Sequence, residues 1–159
     1  MDNRIKELIN ILIKNNKTIS TMESCTGGGL ANIITNVEGS SEIFKFSAIT
    51  YSNEYKIKMG VNKEIIDKYS VYSMETACEM SKNISVFANS NYGVGITGKL
   101  NRIDKNNLYS KDNVVYISIY DRDNNRCYNK EVEVLKKDRK DNKDIVINEV
   151  INILLEIVK

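Results

Sequence analysis

Ser24 and Cys25, two side chains able to act as nucleophiles, stand side by side just ahead of Thr26 and three consecutive glycines, Gly27, Gly28 and Gly29. Glycines after a nucleophile allow a sharp turn and leave backbone N–H groups able to hold a developing oxyanion. The chain has no histidine. A Ser-His-Asp triad, a Cys-His dyad, an HExxH metalloprotease site and histidine-ligated zinc are therefore all excluded. Activation of Ser24 would need another base, and a lysine kept neutral by desolvation or by nearby positive charge is the recognised substitute. Spacing alone does not choose among the lysines. Two plainer readings of the stretch stay open at this level. One is a tight strand-to-helix connection. The other is a general anion site, without the GxGxxG pattern because Asn32 stands where its third glycine belongs, and without any GxxxxGK[ST].

The flanking residues say what must position this turn. Ile5, Leu8, Ile9 and Leu12 recur at helical spacing after Asp2, a capping residue, and residues 18–22 suit a short strand. Helical spacing resumes at Leu30, Ala31, Ile33 and Ile34, which puts the glycines between a strand and a helix. A short helix after Gly39, a strand over 46–51, helices over 54–59 and 62–69 with Asn62 as cap, and a longer helix capped by Ser73 that includes Ala77, Met80, Ile84 and Phe87 follow. Strands are predicted over 92–97, 114–120 and 126–135, the last two joined as a hairpin by Asp123-Asn124-Asn125, and an amphipathic helix over 144–158. This order predicts an α/β fold, a single-domain layered sandwich over residues 1–159 with a mixed β-sheet flanked by helices. Residues 99–113 lack periodicity and read as a long functional loop, and the run Lys136 to Asp141 reads as a solvated one.

Composition narrows the function. With 23 basic against 21 acidic residues, a net charge of +2 gives no footprint for nucleic acid or a membrane surface. No stretch approaches the apolar length of a membrane span, so the expected location is the cytoplasm. Cys25, Cys78 and Cys127 are an odd number without CxxC spacing and indicate neither a disulfide framework nor a metal site.

The segments "ESCTGGGLANIITNVEGSSEIF", "AITYSNEYKIKMGV" and "YSVYSMETACEM" together resemble the C-terminal domain of the competence/damage-inducible CinA family, the nicotinamide-nucleotide amidases. ESCTGG followed by YSNExK at this separation is the specific part. The resemblance implies metal-free and cofactor-free deamidation of nicotinamide mononucleotide, a small-molecule nucleotide, to nicotinate mononucleotide and ammonia. Carried over by position, Ser24 is the nucleophile, Lys56 the base and Tyr51 the proton relay. Cys25, Thr26, Gly27, Gly28, Thr97, Gly98 and Arg139 are the expected substrate-binding positions, and a homo-oligomer is implied. Without the motif, Tyr51 would read as a packed ring and Lys56 as a solvated lysine. Cys25 is the rival nucleophile, with burial beside the turn the expected alternative.

The sequence departs from the family at TGIAGP and KPVGTV. Here Thr97-Gly98 is followed by Lys99, Leu100, Asn101 and Arg102, which should obstruct or reshape the nucleotide pocket. The family's GDR is Lys137-Asp138-Arg139. Family chains usually carry a further N-terminal domain, so a stand-alone domain is expected. The remaining alternatives are a non-catalytic nucleotide-binding paralogue and a serine-lysine amidase for another carboxamide.

Overall fold

The computed structural model describes residues 3–101 and 111–159. Its elements run α1 (Asn3–Lys14), β1 (Ile19–Glu23), α2 (Gly29–Thr35), α3 (Ser40–Ile43), β2 (Phe44–Ile49), α4 (Asn53–Lys58), α5 (Lys63–Tyr69), α6 (Met74–Ala88), β3 (Tyr92–Gly98), β4 (Val114–Asp121), β5 (Arg126–Glu133) and α7 (Arg139–Val158). The five strands are ordered β2-β1-β3-β4-β5. β2, β1 and β3 are parallel, while β4 and β5 add antiparallel strands. The expected mixed sheet between helical layers is thus the fold.

Period-two alternation assigns the faces. Val94 and Ile96 of β3 and Val115, Ile117 and Ile119 of β4 join Ile5, Leu8 and Leu12 of α1 and Val146, Val150 and Leu154 of α7 in the main core. On the other face Met22 packs with Val61, Ile66, Met80 and Ile84 beneath α5 and α6. β1, β3 and β4 are buried along their whole length, as central strands covered on both sides must be.

α6 lies very close to the sheet. An added Cβ on Gly93 would fall 2.0 Å from the Ser81 carbonyl oxygen, and one on Gly95 would fall 2.3 Å from that of Ala77. Glycine at these two positions is what lets the helix backbone approach. The polar groups trapped there are neutral and mutually bonded. Ser20 Oγ meets Ser90 Oγ at 2.6 Å and the Ile84 carbonyl at 3.2 Å, and Ser81 Oγ meets Ser118 Oγ at 3.0 Å.

Three expectations need correction. α7 begins at Arg139, five residues before the expected start, because Asp138 caps it by accepting from the amides of Lys140 (2.7 Å) and Asp141 (3.3 Å). Part of the charge run is therefore helix. β2 begins at Phe44 and ends at Ile49, leaving Thr50 and Tyr51 in the connection to α4. Phe87, expected on the buried face of α6, is 64% exposed and packs with Phe46 of the edge strand at 5.2 Å. The expected Asp2 cap and residues 102–110 of the long loop lie outside the described residues. Asn62 and Ser73 cap α5 and α6 as expected.

Candidate active site

Strand β1 ends at Glu23, and Ser24 follows with its amide donating to the Ile96 carbonyl of β3 at 3.0 Å. Ser24 is thereby fixed at the carboxyl end of the parallel strands, where open α/β sheets form crevices. The turn behind it is closed by Gly27 N–H donating to the Ser24 carbonyl at 2.9 Å and by Gly28 at φ +89°. A side chain at Gly28 would be strained by that φ and would meet Ile49 at 2.9 Å.

Glu23 holds the turn from inside. Fully buried, its carboxylate accepts from Thr26 Oγ1 (2.6 Å) and from the amides of Leu30 (3.2 Å) and Ala31 (2.9 Å). These are the amides by which the start of α2 would attract an anion, so the general anion reading fails at that point. The Thr26 hydroxyl is likewise committed to Glu23. Sequence reasoning passed over Glu23, although the acid of ESCTGG was the available signal.

Lys56 closes the site from α4. Ser52 caps this helix through the Tyr55 amide, so the chain turns inward one residue later. Lys56 is only 2% exposed, and its Nζ lies 3.1 Å from Ser24 Oγ and 2.6 Å from the Thr50 carbonyl oxygen. Burial disfavours the charged ammonium and lowers the lysine from 10.5 to about 8. A lysine partly neutral near pH 8, in hydrogen-bond contact with a serine, has the geometry and the proton affinity of a general base. The solvated-lysine reading fails here.

Cys25 points the other way. It is 4% exposed within the main core, and burial pushes its thiol up to about 12 despite the nearby Arg139 and Lys56 charges. A thiol so desolvated is a poor nucleophile. Among the described residues, the backbone amides of Cys25 and Thr26 donate to no backbone carbonyl, and the Cys25 amide lies against its own thiol.

The remaining expected positions divide. Tyr51 is 64% exposed, and its hydroxyl accepts from Arg139 Nη2 at 3.2 Å; the Ser24–Lys56 contact is direct. Arg139 Nη1 also donates to the Leu100 carbonyl, so the guanidinium ties α7 to the residues after β3 and to the connection leaving β2. Thr97 Oγ1 is spent on the Val71 carbonyl at 2.9 Å, and a Cβ on Gly98 would lie 2.5 Å from the Val114 carbonyl oxygen. Those two positions hold the sheet and the α5–α6 connection. Lys99, expected to obstruct the pocket, instead buries its side chain beside Tyr72 (5.4 Å to the ring) and Asp112 (3.3 Å).

Lys143, absent from the sequence reading, belongs here too. Half-buried on α7 one turn after Arg139, its Nζ lies 3.4 Å from where a Cβ on Gly27 would stand. Among the described residues no carboxylate pairs with it. Its i+4 spacing from Arg139 was the available signal.

The fold and this corner define an α/β domain that carries a buried serine-lysine pair at the carboxyl ends of parallel strands. The model of the CinA C-terminal domain matches residues 2–158, and the chain belongs to that family. It is 35% identical over 150 residues, 94% of its length, to a putative competence-damage inducible protein of Clostridium acetobutylicum, covering 34% of that protein. One from Clostridium botulinum is 50% identical over 90 residues, 56% of this chain and 22% of its own length. The chain thus spans about a third or less of the curated relatives it matches. A CinA superfamily protein of Klebsiella pneumoniae superposes with a TM-score of 0.90 at 20% identity, covering 98% of this chain and 96% of that one. For a competence/damage-inducible protein of Agrobacterium tumefaciens the values are 0.86 and 23%, with 100% and 98% covered. Those two likenesses speak to fold. No helix among the described residues is long and apolar enough to cross a membrane.

Proposed function

We propose that this chain is a serine amidase that hydrolyses nicotinamide mononucleotide to nicotinate mononucleotide and ammonia. The observation that carries the reading is the direct 3.1 Å contact between Ser24 Oγ and the buried Nζ of Lys56. In its neutral form Lys56 accepts the serine proton while the Thr50 carbonyl keeps its Nζ oriented. Ser24 Oγ then adds to the carboxamide carbon, and the amides of Cys25 and Thr26 receive the oxyanion, each such donor being worth about 3 kcal/mol. Collapse breaks the C–N bond as Lys56 returns the proton to the leaving ammonia. Water, deprotonated by the same lysine, attacks the acyl-enzyme, releasing the carboxylate and restoring the serine.

Direct Ser24–Lys56 contact makes a relay through Tyr51 unnecessary. We assign Tyr51 to the mouth of the site together with Arg139, where its exposed ring can lie against the pyridinium. Arg139 and Lys143 supply positive charge for the phosphate, and the uncharged Lys56 avoids repelling the cationic ring.

Purified protein incubated with nicotinamide mononucleotide should release ammonia and nicotinate mononucleotide in equal amounts, and the Ser24→Ala variant neither. Saturable binding without release would make the chain a nucleotide-binding relative. Release from other carboxamides only would keep the serine-lysine chemistry and replace the substrate.

A further inference from the structure

Away from the serine, the close approach of α6 to the sheet brings two cysteines together. Ser118 of β4 pairs with Asn129 of β5, and Cys127, two residues before Asn129, lies on the same face. Cys78 of α6 sits over this patch. Its Sγ is 3.3 Å from Asn129 Oδ1 and 3.5 Å from Ser118 Oγ, which sets it beside Cys127 on that face. Both cysteines are reduced and half-buried. Short side chains can meet between a helix and an edge strand here because Gly93 and Gly95 let α6 sink toward the sheet.

The groups facing the pair favour one thiolate. Ser118 Oγ donates to Cys78 Sγ, the Asn129 amide can turn its NH2 to the sulfur, and the Cys127 thiol and the Lys82 ammonium lie nearby. Together they draw Cys78 down to about 6 against the opposing effect of burial, while Cys127, facing the Cys78 sulfur and itself desolvated, is pushed up. An attacking thiolate beside a protonated second thiol is the arrangement that thiol–disulfide exchange uses.

We propose that Cys78 and Cys127 are an oxidisable dithiol that closes to an intramolecular disulfide on reaction with a low-molecular-weight disulfide such as oxidised glutathione. The Cys78 thiolate attacks one sulfur of the reagent, forming a mixed disulfide and expelling one glutathione thiolate. Cys127 gives its proton to that thiolate and attacks Cys78 Sγ, expelling the second glutathione. Two protein thiols are oxidised to one disulfide, and the reagent is reduced to two thiols. The bond staples the edge strand β5 to α6.

The test incubates the reduced full chain with oxidised glutathione, quenches with acid and maps cysteines by peptide mass spectrometry. The expected product is a Cys78–Cys127 cross-link with Cys25 still free. Cys127→Ser should instead trap glutathione on Cys78, and Cys78→Ser should react at Cys127 roughly tenfold more slowly or worse. In the unmutated protein, which tests the pair without any folding question, the alkylation rate of Cys78 should level off by about pH 7 rather than climb through the ordinary thiol range. A stable mixed disulfide on Cys78 of the unmutated chain, a cross-link through Cys25, or a Cys78 alkylation profile rising to about pH 9 would each overturn the proposal.

Discussion

Two regions of one sheet handle buried polar groups differently. Beneath α6, Ser20, Ser81, Ser85, Ser90 and Ser118 are neutral hydroxyls that satisfy one another or nearby carbonyls. At the carboxyl end of β1 the buried groups are charged or incompletely satisfied: the Glu23 carboxylate, the Lys56 ammonium, and the Thr50 hydroxyl, which has no hydrogen-bond partner among the described residues. Neutral, paired groups let a helix pack tightly on a sheet at little cost. Buried ionisable groups destabilise unless something offsets them, so their presence at one corner points to chemistry.

Several variants would break or sharpen that contrast. Ser24→Ala should lower amidase turnover by about 10³-fold or more with the melting temperature nearly unchanged, since the serine side chain makes one contact. Cys25→Ala should act mainly on stability, because its thiol is core. Kinetics and thermal melts on the two variants together would reassign the nucleophile if the cysteine variant alone lost activity.

Lys56→Met should abolish activity and yet stabilise the fold. Lowering from 10.5 to about 8 corresponds to a desolvation cost of about 3 kcal/mol at neutral pH, and the Thr50 carbonyl left without this donor offsets about 1–2 kcal/mol of the gain. A loss of stability on urea unfolding would show that the ammonium is better compensated than its surroundings suggest. Because the folded value lies below the unfolded one, the penalty stands in full below about pH 8 and fades as pH rises toward 10.5. Turnover depends on neutral Lys56, so kcat/KM should climb with pH and level off above about pH 8. A profile flat from pH 6 upward would remove Lys56 as the base.

Glu23→Gln should destabilise by about 1–3 kcal/mol, because an amide NH2 would face the Leu30 or Ala31 N–H or the Thr26 hydroxyl. The smallest effect belongs to Ser20→Ala, expected to cost about 1 kcal/mol with kcat untouched. If the serine variant reduced kcat, the two regions would be coupled and the contrast between them would fail.

Much of the fold was legible because local signals agree with one another. Helical spacing marked α1, alternating β-branched residues marked β4, and Asn62 and Ser73 are caps whose side chains bond the expected amides. The start of α7 is hidden from hydrophobic periodicity because its first turn, Arg139 to Asn142, holds no apolar residue. Asp138 capping, together with Asn142, whose side chain bonds Lys136 and Asn101, extends the helix where hydrophobic periodicity has nothing to report. Phe87 fits the apolar spacing of α6 but reaches only the rim of the sheet, where it meets Phe46 of the edge strand β2 and stays exposed.

By itself the sequence determined the alternation of elements, the placement of Ser24 on a glycine turn and, through the missing histidine, the need for an unusual base. Those are consequences of composition and local periodicity, which act over a few residues. Only the tertiary structure decided that Lys56, among many lysines, is drawn to about 8 against Ser24, that Glu23 secures the turn, that Lys143 joins Arg139 beside it, and that Cys78 meets Cys127. Each of these depends on burial and on contact between residues far apart in the chain, and desolvation exists only once the chain has folded.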